Sequence, residues 1–116
     1  GMTDQYKQAL QMVMSVRDEI DALLDKYNLD GLIGLTRNPA WKIDIEGGDG
    51  AAMSKQMSFG NGAFAAIAGY PHLTIPLASI DGLPVGISII GPAWSDAELL
   101  KMGSDLELNS ELFLDN

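Results

Sequence analysis

Residues 69–91 read Gly-Tyr-Pro-His-Leu-Thr-Ile-Pro-Leu-Ala-Ser-Ile-Asp-Gly-Leu-Pro-Val-Gly-Ile-Ser-Ile-Ile-Gly. Two β-rich runs, His72 to Ile80 and Leu83 to Ile90, flank Asp81-Gly82, a favoured pair for a two-residue hairpin turn. Pro76 has no amide to give to a ladder, so the first run is expected at a sheet edge or bulged at that point. Both runs are apolar on both faces, which predicts a sheet covered on two sides.

Outward from the hairpin the pattern turns helical. Ala63–Ala68 is a short apolar helix that Gly69 ends. On the other side, Ser95-Asp96-Ala97-Glu98 reads as a capping box ahead of Leu99 and Leu100, with a helix running to about Leu108. At the start of the chain, Tyr6, Leu10, Val13, Val16, Ile20, Leu23, Leu24 and Tyr27 recur at three- and four-residue steps. This predicts one amphipathic helix over 4–27, capped by Thr3, with Asp4 at the positive end of its dipole. Met12 and Met14 lie beside the stripe and read as gap-filling core, or else widen the apolar face into a partner surface. Asn28 to Gly31 stops the helix, with Gly31 expected at positive φ. Gly31 to Leu35 is read as a buried strand. From Thr36 to Asn61 no period is sustained, and a loop this long inside a compact domain is usually functional or disordered. The order α-β-loop-α-β-β-α is an α/β layering: a small mixed sheet with a β-hairpin, flanked by long N-terminal and C-terminal helices. Residues 2–116 are expected to form one domain, with a glycine-rich loop at 36–61 and an acidic tail at 109–116.

The composition narrows the function. The chain has 116 residues, 47% hydrophobic and 20% charged, with no cysteine and a net charge of −9. Such a balance disfavours nucleic acid and anionic membranes as partners. The missing cysteines exclude a disulfide scaffold and a thiol nucleophile, and fit a reducing cytoplasm. The first apolar stretch is broken by Arg17, Asp18 and Glu19, so it does not read as a secretion signal. Between residues 96 and 116 Lys101 faces six acids.

No set of residues assembles a catalytic group on its own. His72 is the sole histidine, and a general base needs an oriented partner. Asp44, Glu46 and Asp49 put oxygen ligands on a loop without the acid ladder of a calcium site. Ser54, Lys55 and Ser58 invite a serine–lysine reading, but their order is wrong for a helical dyad. Gly47-Gly48-Asp49-Gly50 and Gly60-Asn61-Gly62 lack the lysine of a phosphate loop and read as turns. Trp41, in Asn38-Pro39-Ala40-Trp41, is either a packed plug or a pocket wall. No metal ligands and no cofactor are read.

The 69–91 stretch closely resembles the C-terminal part of the amidase signature family. The resembling features are a short apolar helix before Gly-x-Pro, a strand ending in Pro, a turn, then Gly82-Leu83-Pro84-Val85-Gly86 and a second strand. The likeness continues through Gly91-Pro92-Ala93-Trp94-Ser95-Asp96-Ala97-Glu98-Leu99-Leu100. Upstream, Asn38-Pro39-Ala40-Trp41-Lys42-Ile43-Asp44 is similar to the Pro-Ala-Trp loop of some members. In all it spans about residues 20–108. The resemblance implies hydrolysis of carboxamide C–N bonds by a serine, a second serine and a lysine, with backbone amides for the oxyanion. In the family those groups precede the part seen here by a long stretch of chain; this sequence has no Gly-Gly-Ser-Ser segment, and Asp49 after Gly47-Gly48 cannot replace its serine. No catalytic residue is therefore carried over. What the likeness implies here is a C-terminal segment, inactive alone, in which Trp41, Ile43 and Asp44 form part of a substrate-pocket wall. The alternative is a non-catalytic, self-associating remnant, or a polypeptide that completes a split amidase. Leftover apolar surface predicts a homodimer or a missing N-terminal amidase polypeptide as partner. A third reading, a small-ligand module using the glycine-rich loop, has no motif behind it.

Overall fold

The computed structural model describes residues 1–55 and 60–109. The order of elements is α1 (Met2–Tyr27), β1 (Leu32–Leu35), α2 (Gly48–Ser54), α3 (Gly62–Ala68), β2 (His72–Ile80), β3 (Leu83–Ile90) and α4 (Asp96–Asn109). Ser58, Phe59 and the acidic tail beyond Asn109 lie outside the described residues. Among the described residues no helix is long and apolar enough to cross a membrane.

The hairpin lies where its sequence puts it. Asp81 (φ 53°) and Gly82 (φ 77°) both take the left-handed conformation, the pair of angles whose twist matches that of the flanking strands. Across the hairpin His72 pairs with Ile90 and Ile80 with Leu83, and the register slips between Pro76 and Ala78. Pro76 stands opposite Gly86, whose carbonyl is turned to the Thr36 amide, so the nitrogen that cannot donate faces the open side of this edge strand, as expected. β1 pairs with β3 antiparallel, giving the order β1-β3-β2. The three-stranded sheet is thus wholly antiparallel rather than mixed, because each strand meets its neighbour in the reverse sense.

The helices show where local chemistry departs from the sequence reading. α1 starts at Met2, so Thr3 lies inside the helix and does not cap it. Its end is set by Asn28 at φ 49°, whose amide bonds back to the Asp25 and Leu24 carbonyls. Asparagine tolerates this region better than most side chains, so the stop falls three residues before Gly31. Gly31 serves another purpose: a Cβ there would lie 3.0 Å from the Ile90 carbonyl oxygen. The long loop contains a further short helix, α2, which weak periodicity over seven residues hides. At α4 the Ser95 hydroxyl donates to the Pro92 carbonyl, 2.8 Å away, tying it to the turn before the helix.

α4 covers one sheet face, with Leu99 buried and Gly103 close against Leu73 and Ile75. On the other face only the last turns of α1 take part. Ile20 and Leu24 join Ala65, Ala68, Tyr70 and Ile90 in one cluster, with Val16 and Leu32 against it. Tyr6, Leu10, Val13, Leu23 and Tyr27 are exposed, as are Met12 and Met14 beside them, so five of the eight stripe residues have no cover among the described residues and the two methionines do not fill the core. β1 is likewise half-open, with Leu32 and Gly34 partly buried and Ile33 and Leu35 exposed. It is therefore not the buried strand that its composition suggests. The sheet is covered on two sides only at one end, and Ile80 and Leu83 at the hairpin tip stand in solvent. Trp94, at φ 67°, is 93% exposed.

Candidate functional site

Three groups of residues carry the polar chemistry. The first is the loop after β1. Asp44 accepts from Lys55 Nζ at 2.8 Å and from the Gly47 amide at 2.7 Å. The Lys55 ammonium, and after it the Gly47 amide, hold the Asp44 carboxyl below the usual carboxylate range. This clasp folds the loop back onto α2. Ile43 and Asp44 thereby line a hollow of about 500 Å³ with Lys42, Ile45, Glu46, Ala52 and Lys55. Ile43 and Ile45 stand almost fully exposed at its rim. Trp41 is half-buried and does not line this hollow; the Arg37 guanidinium sits 5.3 Å from its ring centre. Of the three expected wall residues, the fold brings Ile43 and Asp44 together and sets Trp41 apart, in a cation–π contact.

The serine–lysine pair does not form a dyad. The Ser54 hydroxyl donates to the Ala51 carbonyl at 2.9 Å, while Lys55 turns to Asp44. Glu46 lines the same hollow as Asp44, whereas Asp49 belongs to the first turn of α2.

The second group is a polar seam across the sheet that the sequence reading passed over. Ser88 Oγ donates to Thr36 Oγ1 at 2.9 Å, and His72 Nε2 lies 2.6 Å from the same Ser88 Oγ. Thr36 Oγ1 reaches Thr74 Oγ1 at 3.5 Å. Ser88 is 1% exposed, out of reach of any substrate carbonyl. A serine and a histidine are therefore adjacent without being a nucleophile and its base. The seam stitches β1, β3 and β2 together at their polar rows. Its sequence signal was present: Ser88 is the one polar side chain in an otherwise apolar Leu83–Ile90.

A third polar contact fixes the corner between α1, α3 and β2. The Tyr70 hydroxyl donates to both carboxylate oxygens of Asp21, each at 2.7 Å. The Arg17 guanidinium stacks over the Tyr70 ring at 5.6 Å. Burial, then the Asp21 carboxylate, pushes the phenol up to about 12.

Among known proteins, the amidase family model matches residues 1–100. One relative is the glutamyl-tRNA(Gln) amidotransferase of Pseudomonas fluorescens strain SBW25, in its A-type chain. That chain is 32% identical over 98 residues, 84% of this chain and 18% of that protein. The corresponding protein of Pseudomonas entomophila is 33% identical over 98 residues, 84% of this chain and 20% of its own length. Among solved structures, a peptide amidase in complex with the competitive inhibitor chymostatin superposes with a TM-score of 0.71 at 36% identity. The native peptide amidase from Stenotrophomonas maltophilia does so with a TM-score of 0.68 at 33% identity. Each of these two matches covers 88% of this chain and 20% of the other. The chain spans about a fifth of the length of the relatives it matches. The hairpin, its flanking helices and the loop after β1 thus match one portion of those relatives' larger scaffold, and on the extent of the family match the chain belongs to the amidase family.

Proposed function

We propose that this chain is one portion of an amidase that hydrolyses carboxamide C–N bonds in small, peptide-like substrates. The observation that carries this reading is the superposition on a peptide amidase over 88% of the chain at 36% identity. In this reading the loop from Trp41 to Asp44 forms one wall of the substrate cleft, with the exposed Ile43 offering apolar contact. The residues here contain no Gly-Gly-Ser-Ser segment, and Ser54, Ser88, Lys55 and His72 are engaged in structural bonds. The nucleophile, its base and the oxyanion donors are accordingly supplied by chain outside these 116 residues. A net charge of −9 supports a small substrate over a tRNA-borne one, since a polyanion is held by lysine and arginine. The cysteine-free composition suits work in the cytoplasm.

The test is a chimera in which this chain replaces the matching fifth of the Stenotrophomonas maltophilia peptide amidase. The chimera is expected to hydrolyse peptide amides, and the 116-residue chain alone to show no turnover. A folded chimera without activity would overturn the reading. So would turnover by the chain alone that survives Ser54→Ala and Lys55→Ala.

A further inference from the structure

The turn between β3 and α4 holds its largest side chain in water. Pro92 to Ser95 closes through the Ser95 amide, which donates to the Pro92 carbonyl at 3.3 Å, and through the Ser95 hydroxyl on the same oxygen. Trp94 takes the third position of that turn at φ 67°, a conformation that favours glycine because a Cβ crowds the backbone there. No packing among the described residues offsets that strain, since the indole is 93% exposed. It forms one wall of a hollow of about 620 Å³ between α4 and the turn before β1, with Leu29 and Met102 as apolar surface. Glu98, Lys101, Met102 and Asp105 share one face of α4 at three- and four-residue steps, and Asp30 lines the hollow from the turn before β1. Three carboxylates there face the single ammonium of Lys101. Among the described residues the ion pairs join Gly1 to Asp4 and Lys55 to Asp44, so none of the three carboxylates is paired. The hollow lies at the opposite end of the sheet from the loop of Ile43 and Asp44, because β1 runs from Asp30 toward Thr36 and β3 finishes at Ile90.

We propose that this hollow docks an arginine side chain from a basic peptide segment of a partner protein, its guanidinium stacked on the Trp94 indole and forked onto the carboxylates of Asp30, Glu98 and Asp105. The proposal goes beyond the amidase reading and does not depend on it. Charge complementarity identifies the occupant. An anion is repelled, and an uncharged apolar group would take the carboxylates out of water without giving them partners. A cation satisfies both kinds of wall, since indole is the ring that attracts cations best. Arginine suits the pair better than lysine: its plane stacks on an aromatic face while its fork meets a carboxylate with two hydrogen bonds. The six acids between residues 96 and 116 extend the same field around the hollow and draw a basic segment toward it.

Titration of the dilute 116-residue chain with acetyl-tetraarginine amide tests this, with affinity read by calorimetry and position by the indole N–H resonances. The Trp94 resonance is expected to shift saturably while that of Trp41 holds still. The citrulline analogue, which keeps the shape and loses the charge, should bind about tenfold more weakly or worse. The lysine analogue should bind about threefold more weakly. Trp94→Gly, Glu98→Gln and Asp105→Asn should each weaken the arginine peptide by about threefold or more, and Lys101→Ala should tighten it. Trp94→Gly should also hold or raise the melting temperature, since glycine suits φ 67°. A lower melting temperature would give the indole a structural duty and overturn the proposal. Equal binding of the citrulline peptide, or of spermidine, would overturn the choice of a guanidinium. Undiminished affinity in Trp94→Gly would reduce the effect to general attraction by the acidic chain, again against the proposal. A Trp94 resonance that moves on concentrating the chain without peptide would make a second copy the occupant. A Trp94 already shielded from acrylamide in the peptide-free chimera would make the rest of an amidase chain the occupant. Either result overturns the proposal, and neither touches the amidase reading.

Discussion

Tyr70 shows how one side chain sets a pH limit. Its phenol is neutral while it donates to Asp21, and its pKa in the folded chain is about 12, above the ordinary value of ~10. Between those values the folded chain holds a proton that the unfolded chain has lost. The stabilisation is therefore complete below about pH 10 and is lost as pH rises toward 12. Tyr70→Phe should abolish that alkaline loss and cost about 2 kcal/mol at neutral pH, the range for a hydrogen bond to a charged group; urea melts at stepped pH measure both. Asp44 behaves in the opposite sense. Its carboxyl is held low, so its clasp on the loop persists above the unfolded pKa and loosens as pH falls through the folded one. The Gly47 amide resonance should titrate with a midpoint below ~3.9, the value for free aspartate. Lys55→Ala should move that midpoint upward. At this scale the sequence was only partly legible. Asp44 was singled out, but its partner Lys55 was read toward Ser54, because adjacency in the chain says nothing about which side chain turns where. Thr36, Thr74 and Ser88 went unnoticed because a hydroxyl becomes informative only once pairing sets three strands side by side.

Among the elements, those with strong local punctuation were legible and those without it were not. The hairpin was readable because Asp81-Gly82 fixes the turn and the turn fixes the register. α3 was readable because Gly69 (φ 66°) ends it. Gly82→Val should cost about 1 kcal/mol or more for the β-branched residue at positive φ. No atom lies within 4 Å of the added Cβ, so thermal melts of this variant report the backbone term with no clash added. α2 was missed because seven residues hold less than two turns of apolar period, and three of its first positions are Gly48, Asp49 and Gly50. The apolar composition of β1 does not distinguish a covered strand from an open one. The loop wall around Ile43 and Asp44 rested on family likeness, since no spacing rule links a loop to a hollow made with a later helix.

For the whole molecule, the uncovered surface is the dominant fact. Tyr6, Leu10, Met12 and Val13 of α1 stand exposed along its first half. In solution the 116-residue chain alone is expected to self-associate through this stripe, because a stable interface needs about 800 Å² per partner and such a stripe can supply it. The charge of −9 opposes association, so added salt should strengthen it by screening. Sedimentation equilibrium at two ionic strengths measures this, and a monomer of 12.4 kDa at tens of micromolar, in the roughly micromolar-to-millimolar regime of weak contacts, would contradict it. The two indoles offer an optical view of the same object. Trp94 stands in water at the start of the acidic α4, near Asp96 and Glu98, while Trp41 shelters beneath the Arg37 guanidinium. A neutral collisional quencher such as acrylamide reaches Trp94 first. Iodide, an anion, is repelled from that end and drawn toward Arg37. The molecule's fluorescence thus carries two addresses, one for its acidic end and one for its loop, and the contrast between the two quenchers reads which of them a binding partner has closed.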